Sequence, residues 1–587
     1  MMMKEFITLK EFFIAHKRSF LLGIFWVFFV DAIGLITPKV LGLFVDDLRG
    51  GGLDRSDILT YAAIIFGAAI FSAVARYYWR IYIMGNSRKA EVYLRDKFYQ
   101  HLQSLSPNYF NHHKTGDLMA HATNDLGAIR QALGPGFLSA VDPFFVLTFT
   151  IIMMLYTVGW QLTLAALAPM PFLALIVTLF GRVIHRRFGQ VQAAFGSLTD
   201  RVQENFAGVR VVKSFVQEEA EINKFTAENQ ENFKANLNLI KVNGIYNPVV
   251  QVVTAISFLI ALSYGGILVV RGTISLGDFV AFNTYLGLMT WPMMAIGWVI
   301  NMWQRGAASM KRINEVLHTL PEIFDGEEVA DKDDLSGNIE FKNLTFTYPG
   351  AEKPVLKDIN IRVEAGKTVA IIGRTGSGKS TLMNLLLRLY NTPPGALYLD
   401  GVDINRVPLA TIRENIGYVP QENFLFSKTI RDNIAFSGSE QGYTQEQVEA
   451  AASLAQVHGN IVDFEEGYDT MLGERGVTLS GGQKQRVSIA RAVIKNPKIL
   501  ILDDSLSAVD THTEEEILLR LKQIMQARTS LIIAHRISTI KDADEILVLD
   551  DGQIIERGSH DSLLELGGLY HELYQKQLLE DQIAAND

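Results

Sequence analysis

Residues Thr368-Val369-Ala370-Ile371-Ile372-Gly373-Arg374-Thr375-Gly376-Ser377-Gly378-Lys379-Ser380 decide how this 587-residue chain is read. The first five are apolar or β-branched, the mark of a short strand buried on both faces. They run straight into a loop punctuated by glycines, and the loop runs into a helix-like stretch over Thr381–Tyr390. Glycines let backbone N–H groups close around an anion, and the start of a helix adds a favourable dipole. In this strand–loop–helix setting, Gly373, Thr375, Gly376, Ser377, Gly378 and Thr381 form a phosphate cradle. Lys379 would reach the β- and γ-phosphates of a nucleotide, and Ser380 would ligate Mg2+.

Downstream, Ile499-Leu500-Ile501-Leu502 reads as a second buried strand, ending in Asp503 and Asp504. Asp503 fits a carboxylate that holds Mg2+, directly or through water. Between the two strands stands Leu479-Ser480-Gly481-Gly482-Gln483, followed by a helical stretch. From Pro321 onward the texture is short β-like runs, turns and amphipathic helices, as in an α/β domain.

The residues before Pro321 have a different character. Hydrophobic residues make up 48% of the chain and charged ones only 20%. Apolar runs near Ser19–Val45, Ile58–Met84, Phe137–Trp160, Gln161–Val183, Ile245–Val270 and Phe279–Met302 are each long enough to span about 30 Å of hydrocarbon. The links between them alternate in length. Arg88, Lys89, Arg95, Lys97 and Lys114 lie in one long link, and Arg186, Arg187, Arg201, Arg210 and Lys213 in the other. Asp46, Asp47, Asp54 and Asp57 dominate the first short link. This positive-inside bias puts the N-terminus, both long links and the C-terminal half in the cytoplasm.

Residues 1–320 carry 28 basic and 21 acidic side chains, whereas 321–587 carry 26 and 42. The formal charge of −9 thus joins a basic membrane half to an acidic soluble half. The absence of cysteine excludes disulfides, cysteine zinc sites and thiol nucleophiles. The first apolar run is too long for a cleavable signal peptide. Phe6, Ile7, Leu9, Phe12 and Phe13, interspersed with lysines, predict an interfacial helix on the inner leaflet. Asp31 and Asp142 fall at membrane depth, where a carboxylate needs a cavity or a partner. They read either as a site for a cationic substrate or as carboxylates capping backbone or paired with Arg76 or Arg80. Trp291, Trp298 and Trp303 crowd the last span with Met293, Met294 and Met302. That composition suits a re-packable apolar pocket, and equally interfacial belts or helix packing.

Six spans, a phosphate loop, LSGGQ and an acidic strand end together resemble the ATP-binding cassette (ABC) family over essentially the whole chain. The layout is that of a half-size type IV (B-family) exporter. The resemblance implies a multidomain membrane protein. A six-helix transmembrane domain (1–320) would precede an α/β P-loop NTPase cassette (321–587). It implies that Tyr348 stacks on adenine and that Gln421 senses Mg2+. It also implies that His535 meets the γ-phosphate and that Ser507–Asp510 forms the D-loop. Gly473-Glu474-Arg475-Gly476 resembles the exporter-specific segment. Short coupling helices are expected around Asn124-Asp125 and Arg210–Phe215. Ser480, Gly481, Gly482 and Gln483 would contact the ATP of a second chain.

One departure matters. Active cassettes carry glutamate after the Walker B aspartate, and this chain carries Asp504. The shorter side chain withdraws its carboxylate by about 1.5 Å, one C–C bond length. A misplacement of about 1 Å can cost on the order of 10²-fold in rate. A degenerate Walker B position beside an intact signature resembles one half of bacterial heterodimeric multidrug exporters. The partner would then be a second half-transporter bearing the glutamate. The cargo would be small, amphipathic or hydrophobic drugs or lipids, and no nucleic-acid partner is expected. A homodimeric lipid flippase is the alternative, and an ATP-binding regulatory membrane protein without transport is the third reading.

Overall fold

The computed structural model describes residues 2–586 apart from 52, 327, 331, 333, 439–441, 474, 475, 477, 505–519, 521, 527 and 535. Two compact units divide the chain: Met1–Gln103 with Thr115–Thr319, and Ser104–Lys114 with Leu320–Asp587.

The second unit is built on short strands of the kind that Thr368–Ile372 announces. Among the described residues these are β1 (Ile339–Phe346), β2 (Leu356–Val363), β3 (Thr368–Gly373), β4 (Leu397–Leu399), β5 (Val402–Asp403), β6 (Ile416–Val419), β7 (Ile499–Asp503), β8 (Thr529–Ile533), β9 (Glu545–Asp550) and β10 (Gln553–Gly558). One sheet runs β10-β9-β3-β8-β7-β6, parallel except for β10, and an antiparallel sheet runs β2-β1-β4-β5. Successive side chains of a strand point to opposite faces, so the buried strands feed two cores. Ala370, Ile372, Leu500, Leu502 and Ile532 join Val487 and Ile489 of the helix Gly481–Val493 on one face. Val369, Ile371, Ile499, Ile501, Leu531 and Ile533 join Leu382 and Leu385 of the helix Lys379–Leu386 on the other. Because the central strands are parallel, the carboxyl ends of β3, β7 and β8 share one edge, where α/β sheets bind ligands.

In the first unit, each apolar stretch falls in a helix long enough to cross a membrane. These helices are Phe6–Gly50, Arg55–Ser104, Thr115–Val158, Trp160–Ala207, Glu218–Val270 and Leu276–Leu317, of 42 to 53 residues. At about 1.5 Å per residue they run roughly 60–80 Å, about twice the hydrocarbon thickness. The third and fourth are joined by Gly159 alone, whose φ of +82° suits a residue without a side chain. The first and sixth approach closely at Gly42 and Gly277, where a Cβ on Gly277 would lie 1.9 Å from the Gly42 carbonyl oxygen. Asp46 closes this crossing by accepting from Ser275 Oγ at 2.5 Å and from the Gly277 N–H at 2.6 Å.

One expectation is corrected, that of a coupling helix at Asn124-Asp125. The N-terminal segment is helical, and one side of it packs on protein while Ile7 and Ile14 stay exposed. Phe6 and Phe12 are buried, Phe6 edge-on to Trp303 at 5.7 Å and Phe12 5.7 Å from Tyr93. Thr8 Oγ1 donates to Asn314 Oδ1 at 2.7 Å. Trp303 is thereby a packing residue, its Nε1 donating to the Gly136 carbonyl, whereas Trp291 and Trp298 are exposed. Asn124-Asp125 is not a separate coupling helix, because it lies within the third long helix at a π-turn, His121–Asp125. There Asp125 accepts from Ser309 Oγ at 2.8 Å and from Arg312 Nε at 3.0 Å. The tip of the first long link is Ser104–Lys114, with a short helix at Pro107–His112, and it belongs to the second unit. A separate short helix does form at Val209–Ser214. Asp31 is buried beside Asp142 and Arg76, with its Oδ2 lacking a hydrogen-bond partner.

Two outcomes follow from this packing. Gly277→Ala must push the first and sixth helices apart, at the roughly 1–3 kcal/mol that overpacking costs. A lowered thermal midpoint of the detergent-solubilised chain checks it. At the far end of β3, Asp544 pairs with Lys367 at 2.8 Å and accepts from the Thr368 N–H at 2.8 Å. Both hold its carboxyl below the ordinary carboxylate range. Its stabilising contribution is therefore full above the ordinary aspartate pKa and is lost as pH falls through the depressed value. The amide-exchange protection factor of Thr368 should fall on acidification, and Asp544→Asn should flatten that fall.

Candidate nucleotide site

The phosphate loop leaves β3 at Gly373 and enters the helix Lys379–Leu386. A Cβ on Gly373 would lie 1.9 Å from the Leu549 carbonyl oxygen on neighbouring β9, so the loop starts where only glycine fits. Gly378 has φ +102° at the helix N-cap, and a Cβ there would meet Leu356 Cδ2 at 2.7 Å. Lys379 is buried, and its ammonium donates to the carbonyls of Gly373 and Arg374 at 2.9 Å each. Burial pulls its pKa below the ordinary lysine value, and Asp503 and Asp504 oppose that pull.

The second wall comes from the end of β7. Asp503 is buried and its Oδ1 accepts from Ser380 Oγ at 3.3 Å. Asp504 has left-handed backbone, with φ +46°. Such a conformation costs of order 1–3 kcal/mol in a non-glycine residue and persists where its surroundings enforce it. Here the Asp504 N–H donates to the Ile533 carbonyl at 2.8 Å, and its own carbonyl accepts from Gln485 Nε2 at 3.4 Å. Its carboxylate accepts from Gln421 Nε2 at 3.4 Å.

These residues line a cavity of about 310 Å³ formed by Val355, Thr375, Gly376, Gly378, Lys379, Ser380, Thr381, Gln421, Asp503, Asp504 and Ile533. Of the residues expected from sequence, the structure thus brings together most of the loop, Gln421 and both aspartates. Ser377 is buried beside them, and its Oγ lacks a hydrogen-bond partner. Tyr348 stands just outside the lining, its hydroxyl donating to Thr381 Oγ1 at 3.0 Å. Ser480, Gly481, Gly482 and Gln483 do not line the cavity. They start the helix Gly481–Val493, with Ser480 Oγ accepting from the Gln483 N–H and both Ser480 and Gly481 exposed. His535, Ser507–Asp510, Glu474 and Arg475 lie outside the described residues.

Sequence reading missed Val355, Ile533, Gln485 and Tyr418. Tyr418 sits on β6 beside β7 and hydrogen-bonds Asp503, and burial pushes its phenol pKa up. The pairing of β6 with β7 brings it there, and nothing local in Tyr418-Val419-Pro420 announces that pairing. The hydroxyl of Ser380, the carboxylate of Asp503 and the amide oxygen available on Gln421 are hard oxygen donors, so the donor set fits Mg2+.

Residues 20–293 match the family model described as "ABC transporter transmembrane region", and residues 356–507 match that described as "ABC transporter". The chain is 40% identical over 568 residues to the probable multidrug resistance ABC transporter ATP-binding/permease protein YheI of Bacillus subtilis, covering 97% of each chain. It is 37% identical over 490 residues to an ATP-dependent lipid A-core flippase of Syntrophus aciditrophicus, covering 84% of this chain and 81% of that one. The solved structure of a bacterial Atm1-family ABC exporter with ATP bound matches 96% of this chain and 98% of its own, with TM-score 0.80 and 28% identity. Six membrane-capable helices followed by a nucleotide-binding cassette, in a chain with these relatives, make it a member of the ABC transporter family with the exporter fold.

Proposed function

We propose that this chain is one half of an ATP-driven efflux pump in the bacterial plasma membrane, with residues 1–320 spanning the bilayer and residues 321–587 forming its cytoplasmic cassette. The observation that carries this reading is the separation of the phosphate cavity from Leu479–Gln483, whose Ser480 and Gly481 stand exposed at a helix start. A second chain is needed to set an LSGGQ segment against this cavity, and this chain's own segment completes the site of that partner. Closure of the two cassettes around ATP would turn the span helices outward, and hydrolysis would reset them.

Tyr348 would stack on adenine. The loop from Gly373 to Thr381 would hold the phosphates, with Lys379 and His535 stabilising charge on the γ-phosphoryl group as it transfers in line to water. Ser380, Asp503 and Gln421 would hold Mg2+, which when bound neutralises phosphate charge. Asp504 would orient the attacking water. Its carboxylate is one methylene short of the usual glutamate, and its backbone is fixed on both sides by Ile533 and Gln485. The short side chain therefore makes this a slow site, and the partner in a heterodimer supplies the glutamate. The multidrug relative supports small amphipathic or hydrophobic cargo. The similarity to a lipid A-core flippase favours a second reading, a homodimer that moves lipid.

ATPase measurement on the purified chain separates the two. Alone, it should turn over about 10²-fold more slowly than in complex with a glutamate-bearing partner. Robust turnover by the isolated chain, abolished by Lys379→Ala, would contradict the heterodimer and support the homodimer.

A further inference from the structure

The ring of Tyr348 is held on several sides. Its hydroxyl donates to Thr381 Oγ1 at 3.0 Å, on the helix that the phosphate loop opens. Phe346 and Tyr390 meet it nearly at right angles, with centroids 5.1 and 5.0 Å away and interplanar angles of 79° and 83°. Tyr390 is itself only 8% exposed, and its hydroxyl accepts from Asn111 Nδ2 at 3.0 Å. Asn111 lies on the short helix Pro107–His112, at the tip of the first long link. That tip is fastened by Glu322, whose carboxylate accepts from Ser106 Oγ and Asn108 Nδ2 at 3.0 Å each. Asn391 Nδ2 in turn donates to the Glu322 carbonyl at 2.8 Å.

A continuous set of contacts therefore runs from Asn111 through Tyr390 to Tyr348 and Thr381. Edge-to-face aromatic pairs have a preferred geometry. A displaced Tyr390 ring would therefore tilt the Tyr348 ring with it. None of Asn111, Tyr390 and Tyr348 lines the cavity around Lys379, and the chain of contacts meets that lining only through the Thr381 hydroxyl, so the displacement would fall on the base end of the site before the phosphate end. We propose that Asn111 and Tyr390 are positioning residues for Tyr348, making the grip on the nucleotide base depend on where the first-link tip sits. By linkage, base binding then biases the link tip by the same factor. The inference rests on the proposed stacking of Tyr348 on adenine and adds the residues that aim it.

Two ligands distinguish the ends of the site: Mg-ATP, and Mg-tripolyphosphate, which has phosphates and no base. Binding is measured on the detergent-solubilised full chain. Tyr390→Phe keeps the ring and removes the hydroxyl, so affinity for ATP should fall about 3- to 10-fold, the worth of about one hydrogen bond. Affinity for tripolyphosphate should not change. Asn111→Ala should do the same, and the double variant should add little, because both remove one contact. Unchanged ATP affinity in Tyr390→Phe, or an equal loss for both ligands, would overturn the inference. Tyr348→Ala is the reference. If it lowers ATP affinity while Tyr390→Phe does not, the stacking stands and only the positioning role fails. If it leaves ATP affinity intact, the stacking fails and the positioning role with it.

Discussion

The site depends on one constraint: a buried lysine and two buried or nearly buried aspartates must be held at the ends of strands that also carry two cores. Lys379 loses hydration on burial and recovers only two backbone carbonyl contacts and the nearby carboxylates. An unpaired charge at that depth costs several kcal/mol. The arrangement is tolerable because β3, β7 and β8 are parallel and lock the opposing groups in place. The same burial leaves the lysine poorly compensated, which is a reason for it to prefer a phosphate.

Side-chain length is the second consequence of that rigidity. Flexible backbone could carry a short carboxylate forward, but Asp504 is tied by its N–H to Ile533 and by its carbonyl to Gln485. Its left-handed backbone shows how far the surroundings dictate its conformation. The exposed start of the helix Gly481–Val493 fits the same account. Its buried side supports Asp504 through Gln485, and its exposed end presents Ser480 and Gly481 outward.

Much of this was legible in the sequence because the signals were local and strongly patterned. Thr368–Ser380 contains its strand, loop and helix start contiguously, and each apolar run needs only its own length to be read as a span. The parts that were not legible depend on distant partners. The alternation of Phe6, Leu9 and Phe12 with lysines does not show that Trp303 and Tyr93 pack against Phe6 and Phe12. Asn124-Asp125 reads as a coupling helix, and the hydrogen bonds that Asp125 accepts from Ser309 and Arg312, far along the chain, accompany its place within the third long helix instead. The true tip of the link, Ser104–Lys114, carries no pattern of its own and is recognised by Glu322 and Tyr390. Tyr418 became visible only once β6 paired with β7.

The central claim is that the reach of the residue at position 504 sets the rate at this site. Asp504→Glu tests it directly, with single-turnover hydrolysis of ATP measured at this chain's own loop. Restoring the missing methylene should raise the rate by at least about 10-fold, within the range that a correction of about 1 Å allows. An unchanged rate, with ATP binding intact, would show that Asp504 already reaches the water and would contradict the account.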